Sequence, residues 1–430
     1  MDGMKTPILK PGFHTRKSMR YAGYFLILLL LLAVFASLLC NEKPLYVRYK
    51  GVNLFPALSW SGYADIKNGD TGGIERLVYS TVNWRELPKE NVIWCPVIFS
   101  PGKSDWQNAD YRSPFAKQYY SQQGRTEEVK LSQRHWLGTT KTGADVLSGI
   151  IHGTRISLSI GIFSMIIAGF IGILLGATAG FFGDQKVQVS ASGLFFGIFT
   201  GLPLSCFYGI YLNRISFIPG NLPWVISVIL FTLYFLLATG GCLYLTYRLG
   251  KLLGHLVNFN RQSYLHIDQF ISRGIEIFNS IPRIVLIITL SAIARPSVPT
   301  LILVIGFTSW TGIARLVRAE MLRVRESEYL QSAEASGIGV VRRVFRHALP
   351  NVLLPAITAI TLGVASAILT ESALSFLGIG VPADVVTWGS LLNEARQNFG
   401  AWWIVVFPGL AIFSTVTAIN IFGNAFNEGL

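Results

Sequence analysis

The sequence predicts an all-α polytopic membrane protein with about eight spans and an extracytoplasmic domain, β-rich in character, inserted after the first span. Three observations predict this class. Of the 430 residues, 51% are hydrophobic and only 14% are charged, against about 25% charged in soluble proteins. Apolar runs of about twenty residues, the length of a membrane-spanning helix, recur along the chain. The basic residues concentrate in the loops on one side of these runs, as the positive-inside rule describes.

The first element is a basic N-terminus, residues 1–20, followed by the apolar run 21–40. A secretory signal peptide has a similar charge pattern, but this run is long for its apolar region and no A-x-A cleavage site follows. The sequence therefore predicts a cytoplasmic N-terminus and an uncleaved first transmembrane helix.

Residues 41–150 form a long polar segment rich in aromatics, with alternating patches such as LYVRYKGV. Alternation favours strands, and the aromatics are expected to build a small core or to present stacking surfaces to a partner. Gly102-Lys103-Ser104 resembles the end of a phosphate-binding loop, but Val97 stands where that loop needs a glycine. We therefore expect no ATP hydrolysis by this chain.

Seven further runs are long enough to span a membrane, namely 156–182, 191–211, 222–246, 275–294, 299–317, 351–371 and 401–422. With eight spans, the N-terminus and the loops on its side hold 17 lysines and arginines, and the short opposite loops hold 3. This ratio predicts that both termini are cytoplasmic. The formal net charge of +13 is accordingly interpreted as a topology signal, and no nucleic-acid partner is expected.

A small-residue segment precedes a basic one between two of these runs. The stretch Glu328–Ser336 favours a short, slim helix, because it is rich in alanine and serine, and Gly337 suits the left-handed residue that ends a helix. Pro350 suits the first turn of the next span. The segment is built either to seat in a groove of another protein or to lie as an ordinary amphipathic hairpin at the membrane surface.

Residues 326–351, ESEYLQSAEASGIGVVRRVFRHALPN, resemble the cytoplasmic coupling loop of ATP-binding-cassette (ABC) importer permeases. The peptide-transport branch has the pattern E-Y-x-x-A-A-x-x-x-G followed by F-R-H-x-L-P-N. The chain departs from it at Gln331 and Ser332, where the pattern has Glu and Ala. The ATPase-coupling residues implied by the resemblance are Glu328, Tyr329, Gln331, Ser332, Ala333, Gly337, Leu349 and Pro350.

Three more stretches are similar to motifs of the same family, in the same order. HWLGTTKTGADVLSG resembles H-x-x-G-T-D-x-x-G-R-D, IEIFNSIP resembles D-x-x-x-S-I-P, and LTESALSFLGIG resembles T-E-x-x-L-S-F-L-G-x-G. The resemblance covers about 20–40, 135–182 and 265–430. The segment 41–150 is similar to the enlarged outer domain of a subgroup that includes some oligopeptide and microcin-type importers.

The resemblance implies a type I ABC importer transmembrane fold in a bacterial inner membrane. The implied permease core is 151–182 and 265–430, with the coupling loop at 318–350. Residues 183–264 replace a short turn of the family and offer two extra spans. The implied partners are two ATPase subunits or domains, a second homologous permease and an extracytoplasmic binding protein. ATP and magnesium are expected on the ATPases, and this chain is expected to bind no cofactor or metal and to catalyse no reaction.

Two glutamates, Glu276 and Glu371, fall within or at the ends of spans, where a carboxylate usually faces protein or water. Candidate residues of a translocation pathway are Glu276, Ser280, Pro282, Glu371 and Ser372. The alternative is that the glutamates lie at the interface or in helix–helix hydrogen bonds. Pro282 predicts a kink, which makes room for a cavity.

The leading hypothesis is a permease subunit of an ABC importer for oligopeptides or dipeptides. An ABC importer for another solute such as nickel is the nearer alternative. An ion-coupled secondary transporter is the more distant one, and it would carry inverted repeats and paired intramembrane charges, which the sequence does not display.

Overall fold

The computed structural model describes residues 13–59, 62–67, 74–79, 81–82, 84, 91–122, 125–129, 133–184, 188–190, 241–242, 244–249, 251–252, 262–264 and 266–428. It is mainly helical. The principal helices are α1 (Phe13–Leu39), α2 (Val146–Phe182), α3 (Ile267–Ser280), α4 (Arg283–Ile293), α5 (Val298–Arg325), α6 (Glu328–Ala335), α7 (Val340–Phe376), α8 (Trp388–Ala395) and α9 (Trp402–Glu428).

Within the described part of the chain, five helices are long and apolar enough to cross a membrane: α1, α2, α5, α7 and α9. The pair α3 and α4 passes the same test as one span bent by 78°. These six elements correspond to six of the eight expected spans. The other two, 191–211 and 222–246, lie outside the described residues except for a few positions at the end of the second.

The long helix α2 starts ten residues before the expected span. Its 37 residues measure about 55 Å at 1.5 Å per residue, which exceeds the roughly 30 Å of a hydrocarbon core. The carboxylate of Asp145 accepts the backbone N–H of Ser148 at 2.7 Å, so it caps the helix before the apolar run begins. The polar first turns therefore belong to the helix but need not lie in lipid.

The described residues between α1 and α2 form seven short strands: β1 (Tyr46–Tyr49), β2 (Val52–Leu54), β3 (Tyr63–Lys67), β4 (Ile74–Val78), β5 (Asn91–Ile93), β6 (Tyr119–Gln122) and β7 (Arg125–Glu128). The antiparallel order β2-β1-β5 forms one sheet, and β3-β4 and β6-β7 form hairpins. The strand content predicted for 41–150 is thus present.

The strand segment has an apolar cluster of its own. Its buried members come from β1 to β4 and the following turn: Val47, Tyr49, Leu54, Ile66, Leu77, Tyr79 and Trp84. Trp84 is 4% exposed, whereas Trp106 is 77% and Trp136 is 60% exposed. Of the two uses expected for the aromatics, core formation accounts for Trp84 and leaves Trp106 and Trp136 on the surface.

The membrane helices share a second apolar cluster. Side chains from α1, α2, α7, α8 and α9 meet in it, and its buried members are Leu29, Ala33, Leu158, Ala365, Ile368, Trp388, Ile412 and Ile419. Close approach of α2 to α5 depends on glycine, because a Cβ at Gly172 would lie 2.8 Å from the Cβ of Ile313. These helices are therefore held together by packing between elements far apart in sequence.

The chain forms two compact units, Met1–Gly176 with Glu276–Leu430, and Ala177–Ile275. In the second unit, β8 (Gln188–Ser190) pairs antiparallel with β9 (Gln262–Tyr264). Asp184 accepts the backbone N–H of Gln269 at 3.1 Å. These contacts bring the two ends of the insertion 183–264 together.

Candidate functional site

The coupling loop contains the short helix α6 at the expected position. The helix ends in a Schellman motif: the N–H of Ile338 donates to the carbonyl of Ala333 at 3.1 Å, and the N–H of Gly337 donates to that of Glu334 at 3.0 Å. Gly337 has φ +74°, a conformation that a side chain disfavours. The prediction that this glycine ends the helix in a left-handed conformation is confirmed.

One face of α6 is anchored and the other is open. Leu330 is 3% exposed and Ala333 is 8% exposed, so these two apolar side chains seat the helix on the protein. The predicted coupling residues Glu328, Gln331 and Ser332 are exposed and lie on one strip of the helix, since positions i, i+3 and i+4 are neighbours. This strip is small in volume and polar, with one carboxylate.

Polar contacts at Glu334 and at Tyr329 tie α6 to α7. A carboxylate oxygen of Glu334 lies 2.7 Å from the guanidinium of Arg343, whose side chain is almost buried. The side-chain amide of Asn351 donates to the Tyr329 hydroxyl at 2.7 Å. Gln331, which replaces the glutamate of the family pattern, donates to the carbonyl of Glu326 at 3.1 Å. The helix is therefore attached to α7 at two places along its length.

Helix α7 does not begin at Pro350. It runs from Val340 through a π-helical stretch, Arg343–Ala348, into the α-helical segment Leu349–Phe376. Pro350 stands in the first turn of that segment, as expected, and the helix before it runs into that segment without a break. A π turn accommodates the missing proline N–H, because it interrupts the regular α-helical hydrogen-bond ladder. Leu349, the neighbouring predicted residue, is half-buried, and Pro350 is exposed.

The predicted kink at Pro282 is confirmed, and it is a break between α3 and α4. Pro282 caps the start of α4, and the exposed Ser280 donates its hydroxyl to the carbonyl of Ile277 at 2.7 Å. Glu276 is exposed on α3. A cavity of about 170 Å³ lies at the break and is lined in part by Pro282. The break thus places this cavity within the bent span.

The break also holds a cation that the sequence analysis missed. Arg283 lines the cavity and donates to the hydroxyl of Ser309 at 2.8 Å. A charged side chain at mid-bilayer costs about 2.5–3.5 kcal/mol on insertion scales. The signal for this residue in the sequence is an arginine inside an apolar run.

Glu371 is fully buried between helices. Its Oε2 accepts the hydroxyl of Ser157 on α2 at 3.0 Å, and its Oε1 accepts that of Ser375 at 2.8 Å. The hydroxyl of Ser372, 6% exposed, lies 3.4 Å from Oε2. Glu371 therefore forms helix–helix hydrogen bonds, which was the alternative to a place in the translocation pathway. Within the T-E-S-A-L-S motif, Ser372 and Ser375 provide hydroxyl partners for this carboxylate.

A second buried polar cluster lies before α2. His135 is almost fully buried, with Nδ1 at 2.9 Å from Oδ1 of Asp145 and Nε2 at 3.3 Å from Oδ2 of Asp105. Burial lowers the pKa of His135, but its hydrogen bonds to Asp105 and Asp145 outweigh burial and raise it. Burial raises the pKa of Asp105, and its hydrogen bonds with His135 and Asn108 bring it below the ordinary value. The cluster joins the strand segment to the cap of α2.

Comparison with known proteins finds a family match in the C-terminal part of the chain. Residues 249–430 match the family described as binding-protein-dependent transport system inner membrane component. Over 300 residues the chain is 28% identical to a dipeptide transport system permease protein of Alkalihalophilus pseudofirmus, covering 70% of this chain and 72% of that protein. The matched family region contains the coupling loop, the broken span and Glu371.

Two further relatives extend the similarity toward the N-terminus. An inner membrane ABC transporter permease protein of Escherichia coli is 25% identical over 421 residues, which is 96% of this chain and 93% of that protein. A dipeptide transport system permease protein of Bacillus subtilis is 25% identical over 379 residues, 85% of this chain and 89% of that protein. The E. coli relative therefore aligns along nearly its whole length.

Proposed function

Because the chain belongs to the binding-protein-dependent inner-membrane permeases of ABC importers, we propose that it forms half of the pathway by which peptides enter a bacterial cell. The observation that carries the proposal is α6, a short exposed helix at the place of the family's coupling loop. Its polar strip of Glu328, Gln331 and Ser332 is the surface that a cytoplasmic ATPase would receive.

Attachment of α6 to α7 supports a mechanical role. A movement of the ATPase presses on the exposed strip, and the contacts Glu334–Arg343 and Tyr329–Asn351, both 2.7 Å, pass it to α7. Leu330 and Ala333 keep the helix seated during this movement. The span then shifts as a rigid body, and rigid-body shifts of this kind alternate the access of a central cavity.

The proposed assembly contains this chain, a second homologous permease, two cytoplasmic ATPase subunits or domains and an extracytoplasmic binding protein. ATP and magnesium bind on the ATPases, and this chain acts as a transport subunit. Both termini lie in the cytoplasm, because 17 basic residues flank the spans on that side against 3 opposite. The strand segment then lies outside, where the binding protein arrives.

Peptides are proposed as the substrate because two of the relatives compared above are dipeptide permeases. The test is ATP-dependent uptake in proteoliposomes holding the whole complex and its binding protein. Uptake of a labelled di- or tripeptide should require ATP and persist when ionophores collapse ion gradients. Uptake of nickel without peptide uptake would instead support the alternative importer, and ATP-independent uptake would support an ion-coupled transporter.

The strand segment is proposed to help engage the binding protein. Its own apolar cluster lets residues 46–93 fold around themselves, and the N–H of Leu45 donates to the carbonyl of Ile93 at 2.9 Å. Residues 46–93 can therefore be deleted and Leu45 joined to Trp94 by a short glycine linker, which spares Asp105 and His135. ATPase co-purification should persist and stimulation of ATP hydrolysis by the loaded binding protein should fall. Unchanged stimulation would make the deleted strands a passive spacer.

A further inference from the structure

The break between α3 and α4 forms a partly open cavity, and the polar residues Asn279 and Arg283 on its lining are exposed. The cavity of about 170 Å³ is lined by Phe278, Asn279, Arg283, Thr308 and Thr311 together with apolar residues around Pro282. One wall is aromatic, since Phe278 packs edge-on against Trp310 with ring centroids 5.6 Å apart. Complete small-molecule pockets measure roughly 300–1,000 Å³, so this cavity has room for one end of a substrate.

Arg283 brings a fixed positive charge to the cavity. Among the residues that the structure describes, no carboxylate lies within ion-pair distance of its guanidinium, and its recorded partner is the neutral hydroxyl of Ser309 at 2.8 Å. A guanidinium carries five N–H donors, so most of its hydrogen-bonding capacity is left for another group. A cation inside a span normally pairs with a carboxylate or faces a polar cavity.

Asn279 supplies further donors beside it. The hydroxyl of Thr311 donates to the amide oxygen of Asn279 at 3.1 Å, which uses the acceptor end of that side chain. Asn279 lines the cavity, and its NH₂ group is a hydrogen-bond donor. An arginine and an amide NH₂ at one cavity match a group that only accepts hydrogen bonds and carries negative charge, and a carboxylate is such a group.

We propose that this cavity receives the C-terminal carboxylate of the transported peptide, with Arg283 as the residue that recognises its charge. The inference rests on the proposed peptide import and adds the part of the substrate that the permease itself selects. The competing explanation is that Arg283 pairs with a carboxylate of the second permease and holds the two subunits together. That explanation requires no preference between substrates.

The test compares one tripeptide with a free C-terminal carboxylate and the same tripeptide with a C-terminal amide. The intact complex is reconstituted in proteoliposomes with saturating loaded binding protein, and the affinity of the binding protein for each peptide is measured separately. The variants are Arg283→Gln, Arg283→Lys and Asn279→Asp. Arg295→Gln is the matched control, because it removes the same charge at a residue that does not line the cavity.

Wild type should carry the acid faster than the amide. Arg283→Gln should slow transport of the acid by about tenfold or more, which corresponds to the loss of one charge-assisted hydrogen bond. Transport of the amide should stay within about twofold of the wild-type rate, as expected for a substitution that removes no contact to that substrate. Arg283→Lys should keep part of the preference. Asn279→Asp should slow transport of the acid selectively, because the new carboxylate forms an ion pair with Arg283 and competes with the peptide carboxylate. Arg295→Gln should match wild type.

Equal slowing of both peptides by Arg283→Gln would overturn the inference in favour of the subunit contact, and so would an unchanged ratio of the two rates. If Arg283→Gln fails to assemble with the ATPases, the ratio of acid to amide transport rates in Arg283→Lys and Asn279→Asp decides between the two explanations. Wild type that carries neither peptide would overturn the proposed function, and this inference with it, so the two failures are told apart by the wild-type measurement.

Discussion

The Nδ1 atom of His135 lies 2.9 Å from Oδ1 of Asp145, and both side chains are almost completely buried. The other ring nitrogen faces Asp105 at 3.3 Å, and the ring stacks on Phe99 with centroids 3.7 Å apart. An imidazolium donates from both nitrogens, so the protonated ring satisfies both carboxylates at once. The cap of α2 is therefore linked to the strand segment through the two N–H groups of one ring.

The His135 cluster predicts a pH dependence of stability. The raised pKa of His135 means that its stabilising contribution is complete below the unfolded value of about 6.5 and is lost as pH rises through the folded value. The lowered pKa of Asp105 means that its contribution is present above about 3.9 and is lost as pH falls through the folded value. The junction should be most stable between these limits.

The measurement is hydrogen exchange of residues 133–148 in the purified complex at pH 6 and pH 8.5, corrected for the intrinsic rates. Protection should be lower at pH 8.5. His135→Gln should destabilise the junction by about 1–3 kcal/mol, because it leaves buried carboxylates poorly paired, and should remove the pH difference. The exposed His266→Gln is the control. Equal protection of wild type at both pH values would contradict the prediction.

The buried Glu371 predicts a modest loss of stability when a partner hydroxyl is removed. Ser157→Ala deletes the bond between α2 and α7 at 3.0 Å, and a polar contact between membrane helices is worth about 0.6 kcal/mol and at most about 1.7. Ser159→Ala is the matched control, because the Ser159 hydroxyl donates to the backbone carbonyl of Arg155 within the same helix. Thermal unfolding of the detergent-purified complex measures both. An equal shift in the two variants would show that the interhelical bond is not responsible.

The turn after α6 predicts a variant that inserts but couples poorly. Gly337 has φ +74°, and no atom lies within 4 Å of the Cβ that a side chain would add, so Gly337→Val acts through backbone strain alone, about 1–2 kcal/mol. Gly339 has equally open surroundings and an extended φ of −62°. Gly339→Val should therefore co-purify ATPases and transport at wild-type levels, while Gly337→Val should lower both. Identical transport and ATPase co-purification in the two variants would show that the left-handed turn at Gly337 does not contribute to coupling.

The charge distribution predicts the sidedness of two exposed positions. In a background with its cysteines replaced by serine, Phe115→Cys in the strand segment should react with an impermeant thiol reagent from outside the cell. Ser336→Cys beside the coupling helix should react only after permeabilisation. The same pair of reagents applies to Ser216→Cys and Gly254→Cys, which lie outside the described residues and flank the second inserted span. Labelling of Phe115→Cys and Ser336→Cys from one side would refute the orientation.

Much of this protein is determined locally by its sequence. A run of about twenty apolar residues predicts a span from its own composition, because the cost of exposing backbone polar groups to lipid depends on the segment itself. The helix at 328–335, its end at Gly337 and the break at Pro282 were predictable for the same reason, since each follows from the backbone requirements of one residue or one short segment.

Only the tertiary structure decided the partners of the buried polar groups. Glu371 meets Ser157 across 214 positions of sequence, and neither residue has a local pattern that names the other. The same holds for His135 with Asp105 and for Arg283 with Ser309. Continuity of α7 through the π stretch before Pro350 also escaped the sequence, because it depends on how the helix is held at Arg343. Such contacts arise from the packing of whole helices, and packing is a property of the assembled chain.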